Sequence, residues 1–345
     1  MSLEGKEILV TGCAGFIGAA LVSKLLDSNA NVIGIDNINS YYSKELKLAR
    51  LEEIKKKEKQ SQGRWDFFQV SLEDSESLQL ISSNHNFDIV VHLAAQAGVR
   101  YSLSNPDAYV SSNLVGFGNI LELCRYSNIE NFIYASSSSV YGGNKSLPFK
   151  EDDNVNHPVS LYAATKRSNE LMAHSYSDLY NIPVTGLRFF TVYGPLGRPD
   201  MAPMIFAKAI TENKPINVFN YGKMKRDFTY IDDVVEAIAR CCDKPASIDK
   251  NFDRLNPNKF SSFAPYRIFN IGNSEPIELI KFIEILEQEF DKTVIKNFLP
   301  MQRGDVTETA ANTDLLYDWV NFKPTTSIRN GIKRFVDWYK MFYRI

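Results

Sequence analysis

Cysteine is scarce in this sequence. Cys13, Cys124, Cys241 and Cys242 are all there is in 345 residues. None has metal-ligand spacing, and chain neighbours such as Cys241 and Cys242 rarely bridge each other. Neither a disulfide framework nor a zinc site is expected; the thiols read as small buried apolar groups in a reducing compartment. Histidine is as rare. His85, His92, His157 and His174 are never three or four residues apart, which removes the helical pairing that a zinc centre uses. An excess of one charge is missing too. Lys and Arg number 39 against 41 Asp and Glu, a formal charge of -2, without the basic surplus of a general nucleic-acid binder. No apolar run approaches the ~20 residues of a membrane span. Ile8–Val10 is too short for the apolar region of a secretory leader. These absences lead us to expect a cytoplasmic protein with neither nucleic acid nor membrane as partner. With 44% apolar and 23% charged residues, the chain has a globular composition and the length for two lobes.

What is present begins with glycines. The stretch ILVTGCAGFIGAALVSKLL is a short strand, a Gly-x-x-Gly-x-x-Gly turn and an amphipathic helix. Gly12 permits the tight turn, Gly15 lets bare backbone approach phosphate oxygens, and Gly18 lets the helix pack closely on the sheet. The next strand, NVIGID, ends at Asp36, where a carboxylate accepts hydrogen bonds from a ribose hydroxyl pair. A 2′-phosphate there would set charge against charge. Asn37 is neutral and no Arg or Lys follows immediately, so the pattern predicts NAD rather than NADP.

Strand and helix signals then alternate. RWDFFQV, FDIVVHLAA, NFIYASSSS and PVTGLRFF read as strands, and SKELKLARLEEIKKKEK as a charged helix with a solvated face. Alternation of this kind predicts an α/β fold, a Rossmann-type doubly wound parallel sheet. After about residue 190 the segments shorten and gain Pro, Asn and Lys. We expect a NAD-binding domain over 1–190, with RDFTYIDDVVEAIARCC returning to it at about 227–245. A smaller C-terminal substrate-binding lobe is expected over 191–226 and 246–345. Residues 244–266 read as a long exposed loop, and the cleft between lobes as the ligand site.

Two further stretches carry chemistry. ASSSSVYG falls at the end of a predicted strand, the edge that faces the ligand crevice of an open parallel sheet. In LYAATKRSNELM, Tyr162 and Lys166 are four apart and share a helix face. An ammonium beside the phenol would lower its pKa from about 10 and make it a base near neutral pH. A serine hydroxyl nearby would hold the substrate oxygen and relay its proton.

Together these stretches resemble the extended short-chain dehydrogenase/reductase family of nucleotide-sugar enzymes, over nearly the whole chain. The resemblance assigns Ser137 to the proton relay, Tyr162 to the base, and Lys166 to both the cofactor ribose and the tyrosine. It assigns Gly12, Gly15, Phe16, Ile17, Gly18, Asp36, Asn37, Leu93, Ala94 and Ala95 to NAD. Ser71–Leu72 falls where the family usually holds adenine with an Asp-hydrophobe pair. The stretches IDNINSYYSKELKLARL, HLAAQAGVRYSLSNP, RFFTVYGPLGRPDMAP, YGKMKRDFTYIDDV and APYRIFNIGNSEPIELI resemble the UDP-glucuronate 4-epimerases. Many relatives carry Asn where Thr191 stands. The activity implied is inversion of C4 of a UDP-sugar, UDP-glucuronate to UDP-galacturonate, through a 4-keto intermediate. Related dehydratases and decarboxylases carry an acidic residue after the relay hydroxyl, since losing water from the sugar needs a general acid. Ser138 and Ser139 stand there instead and cannot serve as carboxyl acids. UDP-glucose and UDP-N-acetylglucosamine remain alternative substrates, and decarboxylation or a non-catalytic NAD sensor alternative functions.

Arg226 matches a family arginine that grips the UDP phosphates, and Arg303 stands in MQRGD, where these epimerases often have Pro. Ser138, Ser139, Thr191, Arg100 and a mobile Arg198 are the candidates for the sugar carboxylate. The resemblance also implies a homodimer. Helices beginning near Pro106 and Leu161 would pair as a four-helix bundle, with Leu114, Phe117, Leu121, Leu171 and Met172 as the candidate seam.

Overall fold

Seven parallel strands make the central sheet of the computed structural model, which describes residues 3–302 and 304–345. Six of them alternate with helices: β1 (Glu7–Thr11), α1 (Phe16–Asp27), β2 (Asn31–Ile35), α2 (Lys44–Glu58), β3 (Trp65–Phe68), α3 (Ser75–Asn84) and β4 (Ile89–His92) come first. They are followed by α4 (Pro106–Val110), a π-helical turn (Ser111–Val115), α5 (Gly116–Ser127), β5 (Asn131–Ser137), α6 (Leu161–Tyr180) and β6 (Val184–Phe189). The remainder comprises β7 (Thr191–Tyr193), α7 (Ala202–Thr211), β8 (Ile216–Val218), β9 (Lys225–Tyr230), α8 (Ile231–Asp243), β10 (Tyr266–Ile271), β11 (Pro276–Glu278), α9 (Leu279–Phe290) and β12 (Lys296–Phe298), then α10 (Asp314–Val320) and α11 (Ile328–Tyr343).

The sheet order is β10-β6-β5-β4-β1-β2-β3. The order reverses between β1 and β4, and that switch point opens a crevice at the carboxyl ends of the strands. Register brings those ends level: Thr11 lies opposite Ile35 and His92, and Ser137 opposite Phe189. Side chains alternate across the sheet with period two. Ile8 and Val10 pack with residues of α1 and α8, whereas Leu9 packs with residues of α3 and α5. Both faces are therefore buried, as an all-parallel sheet requires.

Two expectations about the layout change. Residues 266–271, expected in the smaller lobe, belong to the main sheet: β10 pairs with β6 from Tyr266↔Val184 to Ile271↔Phe189. The apolar run YRIFNI carries a strand signal, but the long irregular stretch before it hid its link to β6. The charges of α2 are not all solvated either. Lys47 and Arg50 are buried, a point developed below. Residues 244–265 contain no helix or strand, as a loop reading requires.

The expected dimer seam also needs correction. Phe117 and Leu121 are fully buried within the chain's own core, where the 3.6-residue period of α5 turns them toward the sheet. Met172 is half-buried against that same core. Leu114 is half-buried, and the aliphatic side chains exposed on these segments are Val110, Val115, Leu171 and Leu179.

Outside the main sheet, β9 pairs in parallel with β7 and antiparallel with β11, and β8 pairs with β12. These small sheets hold Thr191 and Arg226, on β7 and β9, against the open end of the large one. No described helix is long and apolar enough to cross a membrane. The described residues contain no group of His, Cys, Asp or Glu placed to hold a metal ion.

Candidate active site

One cleft of about 1150 Å³ runs along the carboxyl edge of the sheet and between the two sets of strands. Gly12, Gly15, Phe16, Ile17, Gly18, Asp36, Asn37, Leu72, Leu93, Ala94, Ala95, Ser137, Tyr162 and Lys166 line it. So do Arg100, Ser138, Ser139, Thr191, Arg198 and Arg226. Two expected residues stand apart. Ser71 is not on the wall; its hydroxyl accepts from the Asn37 amide at 3.3 Å, so it steadies a residue that is. Arg303 lies outside the described residues.

The glycine turn fits the edge of a dinucleotide. Gly12 has a φ of 73°, and a Cβ there would lie 2.7 Å from the Ala94 nitrogen. A Cβ on Gly18 would lie 2.1 Å from the Gly12 carbonyl oxygen, so the start of α1 packs on the turn itself. Gly15 caps α1 without a side chain, and the first turn of α1 carries no acid. That leaves helix N–H groups and the positive end of the dipole for a phosphate. Asp36 accepts from the backbone nitrogens of Ala14 (3.2 Å) and Ile38 (2.9 Å). Each carboxylate oxygen keeps a lone pair for a ribose hydroxyl.

Ser137 is the last residue of β5, and its hydroxyl accepts from the Ser139 nitrogen at 3.1 Å. That contact leaves the hydroxyl proton free to donate. Opposite it, Ser160 caps α6 by accepting from the Ala163 nitrogen at 3.1 Å, which fixes Tyr162 in the first helical turn. Lys166, one turn on, is buried, and its ammonium donates to the Ala135 carbonyl at 2.9 Å. Burial pushes its pKa down to about 8. Two of its three N–H groups remain for a ligand's hydroxyls. A half-buried phenol, a buried ammonium with spare donors and a bare glycine cradle fit NAD and its ribose.

The electrostatics differ from the sequence expectation. Lys166 turns to the Ala135 carbonyl rather than to the phenol. Burial raises the Tyr162 pKa, and the groups that pull it back are the Ser137 hydroxyl and the Arg198 guanidinium. Arg198 is paired within the chain. It is held by both oxygens of Asp200, Nε to Oδ1 at 3.1 Å and Nη2 to Oδ2 at 2.5 Å, and Tyr41 donates to the same carboxylate at 3.1 Å. The fork of a guanidinium on a carboxylate has a fixed geometry.

At the far end of the cleft Arg226 sits partly buried on β9. It donates to the carbonyls of Lys225 (2.9 Å), Val306 (2.7 Å) and Thr307 (3.2 Å). Arg100, more exposed, pairs with Asp305 at 3.2 Å and lies 5.0 Å from the Phe219 ring centre. Two guanidinium groups against one carboxylate make this end suited to a diphosphate.

The structure adds lining residues that the sequence reading passed over: Tyr41, Lys47, the 96–99 turn and Asp200. Gln96–Val99 follows β4 at the carboxyl edge, so the rule that flagged the serine run applies to it equally. Lys47 is a cation near Asp36 after all, eleven residues along the chain. Its ammonium is engaged by the Asn39 carbonyl and side-chain oxygens at 3.1 and 2.9 Å.

Comparison with known proteins agrees with this geometry. The model of the NAD dependent epimerase/dehydratase family matches residues 8–272. Protein CapI of Staphylococcus aureus is 54% identical over 98% of this chain and 99% of its own. A probable UDP-glucuronate 4-epimerase of Rhizobium meliloti is 46% identical over 97% of each chain. Among solved structures, a UDP-glucuronic acid 4-epimerase from Bacillus cereus, in complex with UDP-glucuronic acid and NAD, superposes with a TM-score of 0.84. It is 33% identical, over 98% of this chain and 100% of the other. The chain belongs to the NAD dependent epimerase/dehydratase family.

Proposed function

We propose that this protein is a UDP-glucuronate 4-epimerase that retains its NAD, interconverting UDP-glucuronate and UDP-galacturonate. The observation that carries the reading is the set of hydroxyls in the cleft: Ser137, Ser138, Ser139 and Thr191 line it together with Tyr162. The kinship to the Rhizobium and Bacillus enzymes supports the same substrate.

Tyr162 takes the proton of the C4 hydroxyl, with Ser137 holding that oxygen and relaying the proton. NAD held by the glycine turn, Asp36 and Lys166 would supply the acceptor and later the donor of the C4 hydride, and its positive charge would further lower the phenol pKa. The resulting 4-keto sugar turns about its pyrophosphate link while Arg226 and Arg100 keep the diphosphate. Hydride returns to the opposite face, and Tyr162 returns the proton to O4. No oxidant is consumed, because what C4 loses it regains.

A 4-keto uronate is a β-keto acid and loses CO2 when the C5–carboxylate bond aligns with the ketone π system. Ser138, Ser139 and Thr191 can bind the carboxylate by hydrogen bonds without adding charge. With Arg198 pinned by Asp200, the carboxylate meets a guanidinium that is already neutralised. It is not locked in one orientation as the ring turns.

The test is a panel of UDP-sugars with chromatography of the products. UDP-glucuronate should give UDP-galacturonate with kcat/KM at least ~10-fold above UDP-glucose, about what a few lost hydrogen bonds are worth. Replacing Ser138 and Thr191 by Ala should erase that preference and release some UDP-pentose. Equal activity on UDP-glucose or UDP-N-acetylglucosamine would replace the uronate reading with a neutral-sugar epimerase.

The proposal extends to the assembly, a homodimer through α4, α5 and α6. Val115 is 52% exposed and Leu171 57% exposed on these neighbouring helices, with Val110 and Leu179 beside them. Pairing with a second copy would cover this apolar face. Light scattering at micromolar concentration should give twice the chain mass; a monomer would reject the interface.

A further inference from the structure

Arg50 and Arg188 are the two fully buried arginines among the described residues; Arg188 is paired with Glu170, whereas no described carboxylate forms an ion pair with Arg50. Instead its guanidinium ties together three separate segments. Nη1 donates to the Ala14 carbonyl of the glycine turn at 2.9 Å and to the Tyr42 hydroxyl at 2.6 Å. Nε and Nη2 donate to the Leu196 carbonyl at 3.1 and 2.7 Å, and Nη2 also reaches Gly197 at 3.4 Å. All five N–H groups are used. Leu196 has a φ of 58°, a conformation that costs a non-glycine residue energy unless its surroundings impose it. Arg198 follows two residues later, with its fork on Asp200.

Burying an unpaired guanidinium is expensive. An apolar residue would fill the same space at lower cost, but it could not hold Ala14, Leu196 and Gly197 at once. What the arrangement provides is a link, behind the cleft wall, between the glycine turn and the segment that precedes Arg198. Ala14 sits inside the turn that would meet the cofactor pyrophosphate, and its nitrogen also donates to Asp36. Leu196 and Gly197 lead into the residue that, with Asp200 and Tyr41, closes the sugar end.

We propose that Arg50 is a positioning residue that couples occupancy of the glycine turn to the placement of Arg198, so that a dinucleotide and a UDP-sugar each tighten the other's binding. The inference rests on the function proposed above. A link of this kind would keep a reduced cofactor and a 4-keto sugar in the site together through the half-reaction, when losing either one ends the cycle.

ADP-ribose separates this coupling from direct contact. It carries the adenosine, the pyrophosphate and the ribose of NAD but no nicotinamide to touch the sugar. It accepts no hydride, so UDP-glucuronate stays intact. Calorimetry on protein stripped of NAD would measure UDP-glucuronate affinity with and without saturating ADP-ribose. The unmodified chain should bind UDP-glucuronate at least ~5-fold tighter with ADP-ribose, the low end of ordinary coupling between sites. In Arg50→Met and Arg50→Lys the ratio should fall to within about twofold of one, because a compact ammonium cannot span the three segments. A role in stability alone would lower the melting temperature and leave the ratio intact. Absence of coupling in the unmodified chain, or its survival in both variants, overturns the proposal.

Should the variants not fold, hydrogen exchange on the unmodified chain decides. ADP-ribose must slow amide exchange over residues 196–200, and no change there rejects the link. Failure of ADP-ribose or UDP-glucuronate to bind at all would strike the functional reading itself, whereas binding of both without coupling strikes only Arg50.

Discussion

Tyr162→Phe is expected to lower turnover of UDP-glucuronate by about 10³-fold, within the range that a positioned acid–base group contributes. The protein should still fold and hold NAD. The substitution deletes one oxygen and keeps the ring, including its edge contact with Tyr109 at 6.1 Å between centres. The α6 cap at Ser160 does not involve the phenol, and neither does the Lys166 bond to the Ala135 carbonyl. What disappears is the only group on the proposed path that takes the C4 proton. Ser137 cannot replace it, because a hydroxyl relays a proton but needs an acceptor beyond it. NAD content is read by absorbance after denaturing the purified variant, and turnover by product chromatography. A variant with wild-type turnover would remove Tyr162 as the base; one that has lost NAD would show that the phenol also holds the cofactor site together.

The order of events around that phenol follows from its electrostatics. Burial raises its pKa, and Ser137 and Arg198 only partly offset this. The cleft alone therefore holds a neutral phenol at pH 7. The positive charge of bound NAD would add to what Arg198 already does, so the base would be activated where the hydride acceptor is present. This ordering suits an enzyme whose substrate loses CO2 if oxidised in the wrong pose.

Local pattern made much of this molecule legible. The Gly12, Gly15 and Gly18 spacing and Asp36 both concern backbone within one βαβ unit; the structure places them together, with Gly18 packed on the Gly12 carbonyl and Asp36 accepting from the Ala14 nitrogen. The serine run at a strand end and the shared helix face of Tyr162 and Lys166 are readable locally, while the resemblance singles out Ser137. What stayed hidden depends on partners far along the chain. Nothing in SKELKLARLEEIKKKEK tells Arg50 from the solvated charges around it; its partners include Ala14 and, 146 residues away, Leu196. The edge strand β10 was masked by the long irregular stretch that separates it from β6. Phe117 and Leu121 belong to an apolar face that serves a core or a dimer seam equally well, until the sheet is placed beneath it. The pairing of Arg198 required seeing Asp200, two residues on, turn back toward it.

Glu170→Ala should cost about 3–5 kcal/mol of stability, the usual result of stranding one member of a buried ion pair. Glu170 lies on α6 one turn beyond Lys166 and two beyond Tyr162. It is fully buried and accepts four charge-assisted or hydroxyl bonds. Arg188 supplies Nε at 2.8 Å and Nη2 at 3.0 Å, Arg167 supplies Nη1 at 2.9 Å, and Ser136 its hydroxyl at 2.7 Å. Burial works to raise the Glu170 pKa, but Arg188 first, then Arg167 and Ser136, overcome it and hold the carboxyl below its ordinary value. A carboxyl whose folded pKa is depressed adds stability that is complete above its unfolded pKa and lost as the pH falls through the folded one. Removing it should therefore lower the urea midpoint at pH 7 and flatten the decline of stability on the acid side. Alanine leaves Arg188 wholly buried with only the Tyr141 hydroxyl and the Glu151 carbonyl, each at 3.1 Å. It also frees Ser136, the neighbour of Ser137, so the proton relay and the helix carrying Tyr162 lose their common anchor. Turnover at a temperature where the variant is still folded should fall as well. Urea titrations of both proteins at pH 7 and pH 4 measure the effect. A loss below about 1 kcal/mol at pH 7 would mean that the network gives no more than an exposed pair does, and that α6 is held to β5 by its apolar contacts alone.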